Sequence, residues 1–142
     1  MTQIEKVLYS VRIRATGGRD GVCRSDDGRL DIKLSTPGTS GGGTNPEQLL
    51  AAGWSASFIA AMKIEAAKTN VTLPADVTVD AEVDLNTTIG GYELAARLNV
   101  TLPGIERDLG RSLVGAAQEA CPYFRAMRGN VNVLVTVLVT VV

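Results

Sequence analysis

The chain has 142 residues, a length that suits a single domain over residues 1–142 with one hydrophobic core. Its 14 basic and 15 acidic residues nearly cancel and no basic cluster stands out, so we expect no nucleic-acid partner. The absence of histidine removes the usual general base of a serine nucleophile and the commonest metal ligand, so we expect no metal. No segment has the apolar length of a signal peptide or a membrane span, which predicts a cytoplasmic protein without membrane association.

The N-terminal part of the sequence predicts an antiparallel meander. Residues 6–16 and 29–34 alternate apolar and polar side chains, as half-buried strands do. Glycines at 17, 18 and 21 and the Asp-Asp-Gly sequence at 26–28 are typical of the connecting turns. Residues 37–43 contain only Pro, Gly, Thr and Ser, which indicates a loop.

A long helix is predicted after this loop. Its start has two interpretations: Thr44 and Glu47 at capping-box spacing, or Asn45 as the N-cap with Pro46 in the first turn. From Leu49 to Ile64, small and apolar residues fall on every face. A surface helix would show a polar stripe, so this pattern favours a buried central helix.

The second half of the chain predicts a hairpin, a second amphipathic helix and a final strand. The elements in order are residues 77–85, residues 94–102, roughly residues 106–120, and residues 131–142. The resulting order is three strands, helix, two strands, helix and strand, which is typical of an α+β fold.

Three short motifs connect the chain with a known family. They are Ala15–Gly21 (ATGGRDG), Thr44–Phe58 (TNPEQLLAAGWSASF) and Cys121–Tyr123 (CPY). Through them the whole chain resembles the organic hydroperoxide resistance proteins of the Ohr/OsmC family. The resemblance implies an α+β fold of strands, helix, hairpin, helix and strand. It also implies an intertwined homodimer whose sheets wrap two central buried helices.

The resemblance implies a thiol peroxidase site in which one atom differs. Ser57 occupies the position of the family's peroxidatic cysteine, and Cys121 matches the resolving cysteine. Arg19 matches the arginine that stabilises the peroxidatic thiolate and orients the peroxide, and Glu47 matches its ion-pair partner. A serine hydroxyl cannot pass through the sulfenic and disulfide steps, so we predict that this chain is inactive. Natural divergence and an engineered replacement of cysteine both account for Ser57.

The spacing of Glu47 and Ser57 adds a constraint of its own. Ten residues on one straight helix correspond to a rise of about 15 Å, so the two side chains cannot share a site within one helix. Either the helix breaks near Gly53, or Arg19 and Glu47 reach the Ser57 of another chain. We favour the second arrangement.

The activity implied by the resemblance is reduction of organic hydroperoxides, small molecules of the alkyl or fatty-acid type, to alcohols. The reductant would be dihydrolipoamide or a lipoylated protein, with no bound metal, flavin or haem. Four side chains are candidates for an apolar wall of the substrate pocket, although ordinary core packing explains each as well: Trp54, Phe58, Met62 and Tyr123.

Other interpretations stay open at this point. Without the family resemblance, Ser57 is interpreted as a mid-helix serine bonded to a carbonyl one turn back, and Arg19 as a solvated arginine in a turn. The chain could be a catalytically silent protein that binds apolar peroxides or lipids. Alternatively, peroxidase activity could have moved to Cys121 or to Cys23, which matches no family position and otherwise reads as an inert thiol.

Overall fold

The computed structural model describes residues 3–138, and the chain divides into two compact units, Met1–Pro46 and Glu47–Val142. The single domain expected from the chain length stays a prediction. The elements are β1 (Ile13–Thr16), a 3₁₀ turn (Gly18–Asp20), β2 (Val22–Ser25), β3 (Asp31–Lys33), α1 (Pro46–Lys68), β4 (Thr78–Thr88), β5 (Gly91–Thr101), α2 (Arg107–Ala120), α3 (Pro122–Met127) and β6 (Asn132–Leu138).

The first unit contains the predicted antiparallel meander, in strand order β1-β2-β3. Its first strand is shorter than predicted: only Ile13–Thr16 is a strand, and residues 6–12 have no regular secondary structure. Alternating side chains do not make a strand unless the backbone finds a partner. Here the pairing with β2 ends near Arg12, whose carbonyl accepts from the Asp26 amide at 3.1 Å.

The second unit has a sheet in the order β4-β5-β6. β4 and β5 form the predicted hairpin, with Thr88 paired to Gly91 at its turn. β6 lies parallel to β5, so the chain must cross from one end of the sheet to the other, and α2 and α3 make this connection. The predicted final strand is confirmed over Asn132–Leu138, and residues 139–142 lie outside the described residues.

α1 is continuous from Pro46 to Lys68, and one of its faces forms the centre of the core. Trp54, Phe58 and Met62 are fully buried in a cluster with side chains of the sheet and of α2. The prediction of burial on every face is not met within one chain, because Ile64 is 60% exposed.

The length and composition of α1 do not agree with the sequence-based expectation that no segment could cross a bilayer. By length and composition alone it is apolar enough to do so, a test that core helices of water-soluble proteins also pass. Its buried face packs inside the protein, as a core helix does, so the fold gives no indication of a membrane location.

α2 begins as predicted, with Glu106 at its N-cap. The Glu106 carboxylate accepts from the amides of Asp108 at 3.0 Å and Leu109 at 3.1 Å, and these bonds lower the pKa of Glu106. The helix ends at Ala120, but Pro122 does more than stop it. Because proline suits the first helical turn, a further short helix, α3, starts there, and the sequence analysis did not predict it.

Candidate active site

The second unit brings Ser57 and Cys121 together although they lie 64 residues apart in the chain. Ser57 Oγ is 3.7 Å from Cys121 Sγ, within the range of a weak hydrogen bond to sulfur. Cys121 is fully buried at the junction of α2 and α3, and Ser57 is half-buried on α1. Ser55, rather than Ser57, bonds to the carbonyl one turn back, with Ser55 Oγ 2.8 Å from the Ala51 oxygen.

Three aromatic residues belong to the buried cluster that contains Cys121. The Phe124 ring centroid lies 5.2 Å from that of Trp54 in an edge-to-face arrangement, and 4.7 Å from that of Phe58. Both geometries are favourable for aromatic pairs. Phe124 is three residues from Cys121, and Trp54 and Phe58 flank Ser57 on α1, so the rings make the surroundings of the pair apolar.

Three of the four predicted wall residues, Trp54, Phe58 and Met62, belong to the same buried cluster as Cys121. Tyr123, the fourth, is half-buried and packs against that cluster. The indole nitrogen of Trp54 is buried and has no hydrogen-bond partner among the described residues. A buried donor without an acceptor costs about 1–3 kcal/mol, so this N–H is available to an acceptor that residues 3–138 do not supply.

Gly53 allows Tyr123 to approach α1 closely. A Cβ added at Gly53 would lie 2.6 Å from the Tyr123 hydroxyl oxygen and 3.3 Å from the ring carbon that carries it. Glycine inside a helix costs about 1 kcal/mol relative to alanine. Tyr123 therefore occupies the space that a side chain at position 53 would need.

We expect Gly53→Ala to lower the free energy of unfolding more in the unsubstituted chain than in a Tyr123→Phe background, by about 1 kcal/mol. The difference isolates the contact between the new Cβ and the Tyr123 hydroxyl, because the second background lacks that hydroxyl. Denaturant unfolding of the four chains measures this coupling. Gly115→Ala in α2 is the matched control, since a Cβ there meets nothing within 4 Å. Its effect should be the same in both backgrounds; equal effects of Gly53→Ala in both would contradict the contact.

Arg19 lies in the first unit, in a turn that glycines shape. Gly17 and Gly18 have φ values of 81° and 61°, which favour glycine, and Arg19 follows them in the 3₁₀ turn. The next residue, Asp20, accepts from the Thr36 amide at 3.0 Å and from its hydroxyl at 2.8 Å. These bonds lower the pKa of Asp20 and tie the Arg19 turn to the loop after β3.

The continuity of α1 decides between the two arrangements of Glu47. The helix does not break at Gly53, so the first arrangement is wrong. Glu47 stays a rise of about 15 Å from Ser57 of the same helix. The helix begins at Pro46, which agrees with the interpretation that places this proline in the first turn.

The remaining thiol, Cys23, belongs to the first unit. It lies on β2 opposite Ala15 and Ile32 and is half-buried. Within residues 3–138, no three His, Cys, Asp or Glu side chains converge on a position that could hold a metal ion.

Phe124 was not among the site residues predicted from the sequence. An available signal was its position, since it is an aromatic residue three places after Cys121. The helical spacing of α3 places Cys121 and Phe124 about one turn apart.

Comparison with known proteins agrees with the fold. The model of the OsmC-like protein family matches residues 38–136. An organic hydroperoxide resistance protein of Xanthomonas axonopodis pv. citri is 45% identical in an alignment 140 residues long, which covers 96% of this chain and 99% of that protein.

Solved structures of similar proteins have the same α+β architecture. The crystal structure of an organic hydroperoxide resistance protein from Legionella pneumophila aligns with a TM-score of 0.87 and 40% identity, covering 93% of this chain and 98% of that one. A corresponding protein from Vibrio cholerae, with captopril bound in one of its active sites, aligns with a TM-score of 0.89 and 36% identity over 95% of each chain. The chain therefore belongs to the Ohr/OsmC family and is similar to its organic hydroperoxide resistance proteins.

Proposed function

We propose that this chain is the scaffold of an organic hydroperoxide reductase in which position 57 is the seat of the nucleophile and Cys121 is the resolving thiol. The observation that carries the proposal is the 3.7 Å contact between Ser57 Oγ and Cys121 Sγ in an apolar, aromatic environment. A peroxidatic and a resolving group must meet in this way, because the second step joins their two sulfur atoms.

The parent chemistry with a cysteine at position 57 has two steps. The thiolate attacks the terminal oxygen of the hydroperoxide, the O–O bond breaks, and the alkoxide leaves and takes up a proton to become the alcohol. The resulting sulfenic acid then condenses with the Cys121 thiol, which releases water and forms a disulfide. A dithiol reductant, dihydrolipoamide or a lipoylated protein, returns both cysteines to thiols and is itself oxidised to its disulfide. The cycle needs no bound cofactor.

Ser57 stops this cycle at its first step. A hydroxyl is a far weaker nucleophile than a thiolate unless a base activates it, and the chain contains no histidine. We therefore expect no peroxidase turnover from the unsubstituted chain.

We further propose that two copies of the chain complete the site, with Arg19 and Glu47 of one copy serving position 57 of the other. The guanidinium of Arg19 would lower the pKa of a thiol at that position. The rise of about 15 Å between Glu47 and Ser57 on the unbroken α1 supports an arrangement between chains.

The exposed apolar surface also supports a homodimer. Residues 3–12 carry several large exposed side chains that a second copy would cover: Ile4, Val7, Leu8, Tyr9 and Val11, with exposed fractions of 58–87%. Ile64 on α1 adds to this surface.

The substrates we propose are alkyl and fatty-acid hydroperoxides, and the proposed location is the cytoplasm. Trp54, Phe58, Met62 and Tyr123, together with Phe124, would favour an alkyl chain over hydrogen peroxide because they offer apolar contact area.

The test is consumption of cumene hydroperoxide with dihydrolipoamide by the unsubstituted chain and by Ser57→Cys. We expect turnover only in the variant, which would establish a complete site that lacks one sulfur atom. Ser55→Cys is the matched control, since Ser55 lies on the same helix and bonds to the Ala51 carbonyl. Equal turnover by the unsubstituted chain and Ser57→Cys would show that the nucleophile is not at position 57. Turnover by neither chain would contradict the proposed peroxidase activity of this scaffold.

A second function, binding of an apolar peroxide or lipid without reduction, has one observation in its favour. The buried Trp54 N–H has no acceptor within the described chain, and a ligand oxygen would supply one. Saturable binding of a fatty-acid hydroperoxide by the unsubstituted chain, combined with inactivity of Ser57→Cys, would favour this function. An absence of binding would exclude it.

A further inference from the structure

One face of the N-terminal sheet carries a row of arginines. In the register of β1 with β2, Arg14 lies directly opposite Arg24, and Arg12, which precedes β1, lines the same cavity as these two residues. The sequence alone shows no basic cluster, because Arg24 is ten residues from Arg14 along the chain. The antiparallel pairing brings them together.

The charges of this row are only partly compensated within the chain. Arg24 forms an ion pair with Asp31 on β3, at 3.0 Å between Nη2 and Oδ2. Arg12 and Arg14 make no side-chain hydrogen bond or ion pair with residues 3–138. Asp26 is the other carboxylate beside the row, and it also forms no ion pair with those residues.

Repulsion among these arginines lowers the stability of the sheet unless a negative charge compensates it. Like charges directly opposite each other on neighbouring strands are destabilising. A sheet that places Arg14 against Arg24, with Arg12 next to them, therefore has a net positive face that an anion would stabilise.

A cavity lies over the same face. It has a volume of about 620 Å³, which is within the range of small-molecule sites, and its lining includes the three arginines. Thr16 and Val22, which are paired across the two strands, extend it in the direction away from Arg12. The cavity thus offers guanidinium groups, a hydroxyl and a small apolar surface.

We propose that this cavity binds a small phosphate monoester, with Arg14 and Arg24 holding the phosphate group and Arg12 adding a third positive charge. A phosphate dianion suits two guanidinium groups better than a carboxylate does, because it has two charges and enough oxygens for bidentate contact with both. All residues of this site belong to the first unit, whereas Ser57 and Cys121 belong to the second.

The test is a calorimetric titration of the unsubstituted chain, residues 1–142, with glycerol phosphate at low salt. We expect saturable binding to the unsubstituted chain, and at least tenfold weaker binding to Arg14→Gln. Arg111→Gln is the matched control: it removes the same charge from an exposed position on α2 and should bind like the unsubstituted chain. No saturable binding to the unsubstituted chain, or equal losses in both variants, would overturn the proposal.

Two further probes distinguish the source of the phosphate group. Inorganic phosphate should compete with glycerol phosphate, because both present the same group to the arginines. Vesicles of phosphatidylcholine with phosphatidic acid should not bind more tightly than glycerol phosphate. Binding to these vesicles without binding to glycerol phosphate would mean that the ligand is a membrane surface, and this result would overturn the proposed small-molecule site.

Thermal unfolding gives a readout that does not depend on calorimetry. Without phosphate, Arg14→Gln should unfold at the same or a higher temperature than the unsubstituted chain, because the substitution relieves the repulsion with Arg24. With glycerol phosphate, the Tm of the unsubstituted chain should rise and that of Arg14→Gln should not. A lower Tm of Arg14→Gln without phosphate would mean that Arg14 already has a stabilising partner in the protein, which contradicts the proposal.

Discussion

Ser57→Cys is expected to close a disulfide with Cys121 when the reduced variant meets one equivalent of an organic hydroperoxide. The contact between Ser57 Oγ and Cys121 Sγ is 3.7 Å, whereas a disulfide needs sulfur atoms about 2.05 Å apart. A modest side-chain rotation closes this difference, because the two side chains are already in contact. The effect should be complete: the variant should lose both thiols of the site, whereas the unsubstituted chain keeps Cys121 reduced.

Thiol alkylation followed by mass spectrometry measures this outcome. The oxidised variant should be lighter by two hydrogen atoms and should keep a single alkylatable thiol, Cys23, which is the internal control. In a Ser57→Cys, Cys121→Ser double variant the sulfenic acid should persist, and dimedone should trap it. A disulfide that includes Cys23, or one that joins two chains, would show that position 57 and Cys121 are not the reacting pair.

The sequence predicted those elements whose signals are local. The period of two over β4 and β5, the amphipathic pattern of α2 and the helix start around Pro46 each depend on residues that are close in the chain. These elements were correct to within a few residues.

The failures concern pairing between distant residues. Residues 6–12 have the alternation of a strand but no neighbouring strand within residues 3–138, so the pattern overestimated β1. The arginine row was missed for the complementary reason: Arg14 and Arg24 become neighbours only through the register of β1 and β2. Neither fact is contained in composition or periodicity.

At the candidate active site, too, local features were predictable from the sequence and contacts between distant residues were not. Periodicity assigned Ser57 to a helix and Cys121 to a helix end, but no spacing rule brings residues 64 positions apart into contact. Only the resemblance to the family predicted that pair. The distance between Glu47 and Ser57 was the exception, because helical rise alone excluded a shared site on one helix.

A mixture of two inactive chains is expected to regain peroxidase activity, since we propose that Arg19 serves position 57 of the other copy. One is the unsubstituted chain, which has Arg19 but lacks the sulfur atom. The other is Ser57→Cys with Arg19→Ala, which has the sulfur atom but lacks the guanidinium that keeps it ionised. After subunit exchange, each mixed dimer contains one complete site. Random pairing should therefore give about one quarter of the turnover of the Ser57→Cys homodimer, because half of the dimers are mixed and each has one working site of two.

The reciprocal mixture decides between sites completed by the other copy and sites complete within one chain. When Ser57→Cys is mixed with Arg19→Ala, which keeps Ser57, a mixed dimer has its cysteine facing the partner that lacks Arg19. Turnover per Ser57→Cys chain should then fall as the Arg19→Ala chain is added, whereas sites complete within one chain would keep it constant. Co-purification through a tag on one chain confirms exchange in both mixtures. If exchange occurs and the first mixture stays inactive, Arg19 does not act across the dimer. The rise of about 15 Å between Glu47 and Ser57 on α1 would then not be bridged by a second copy of the chain.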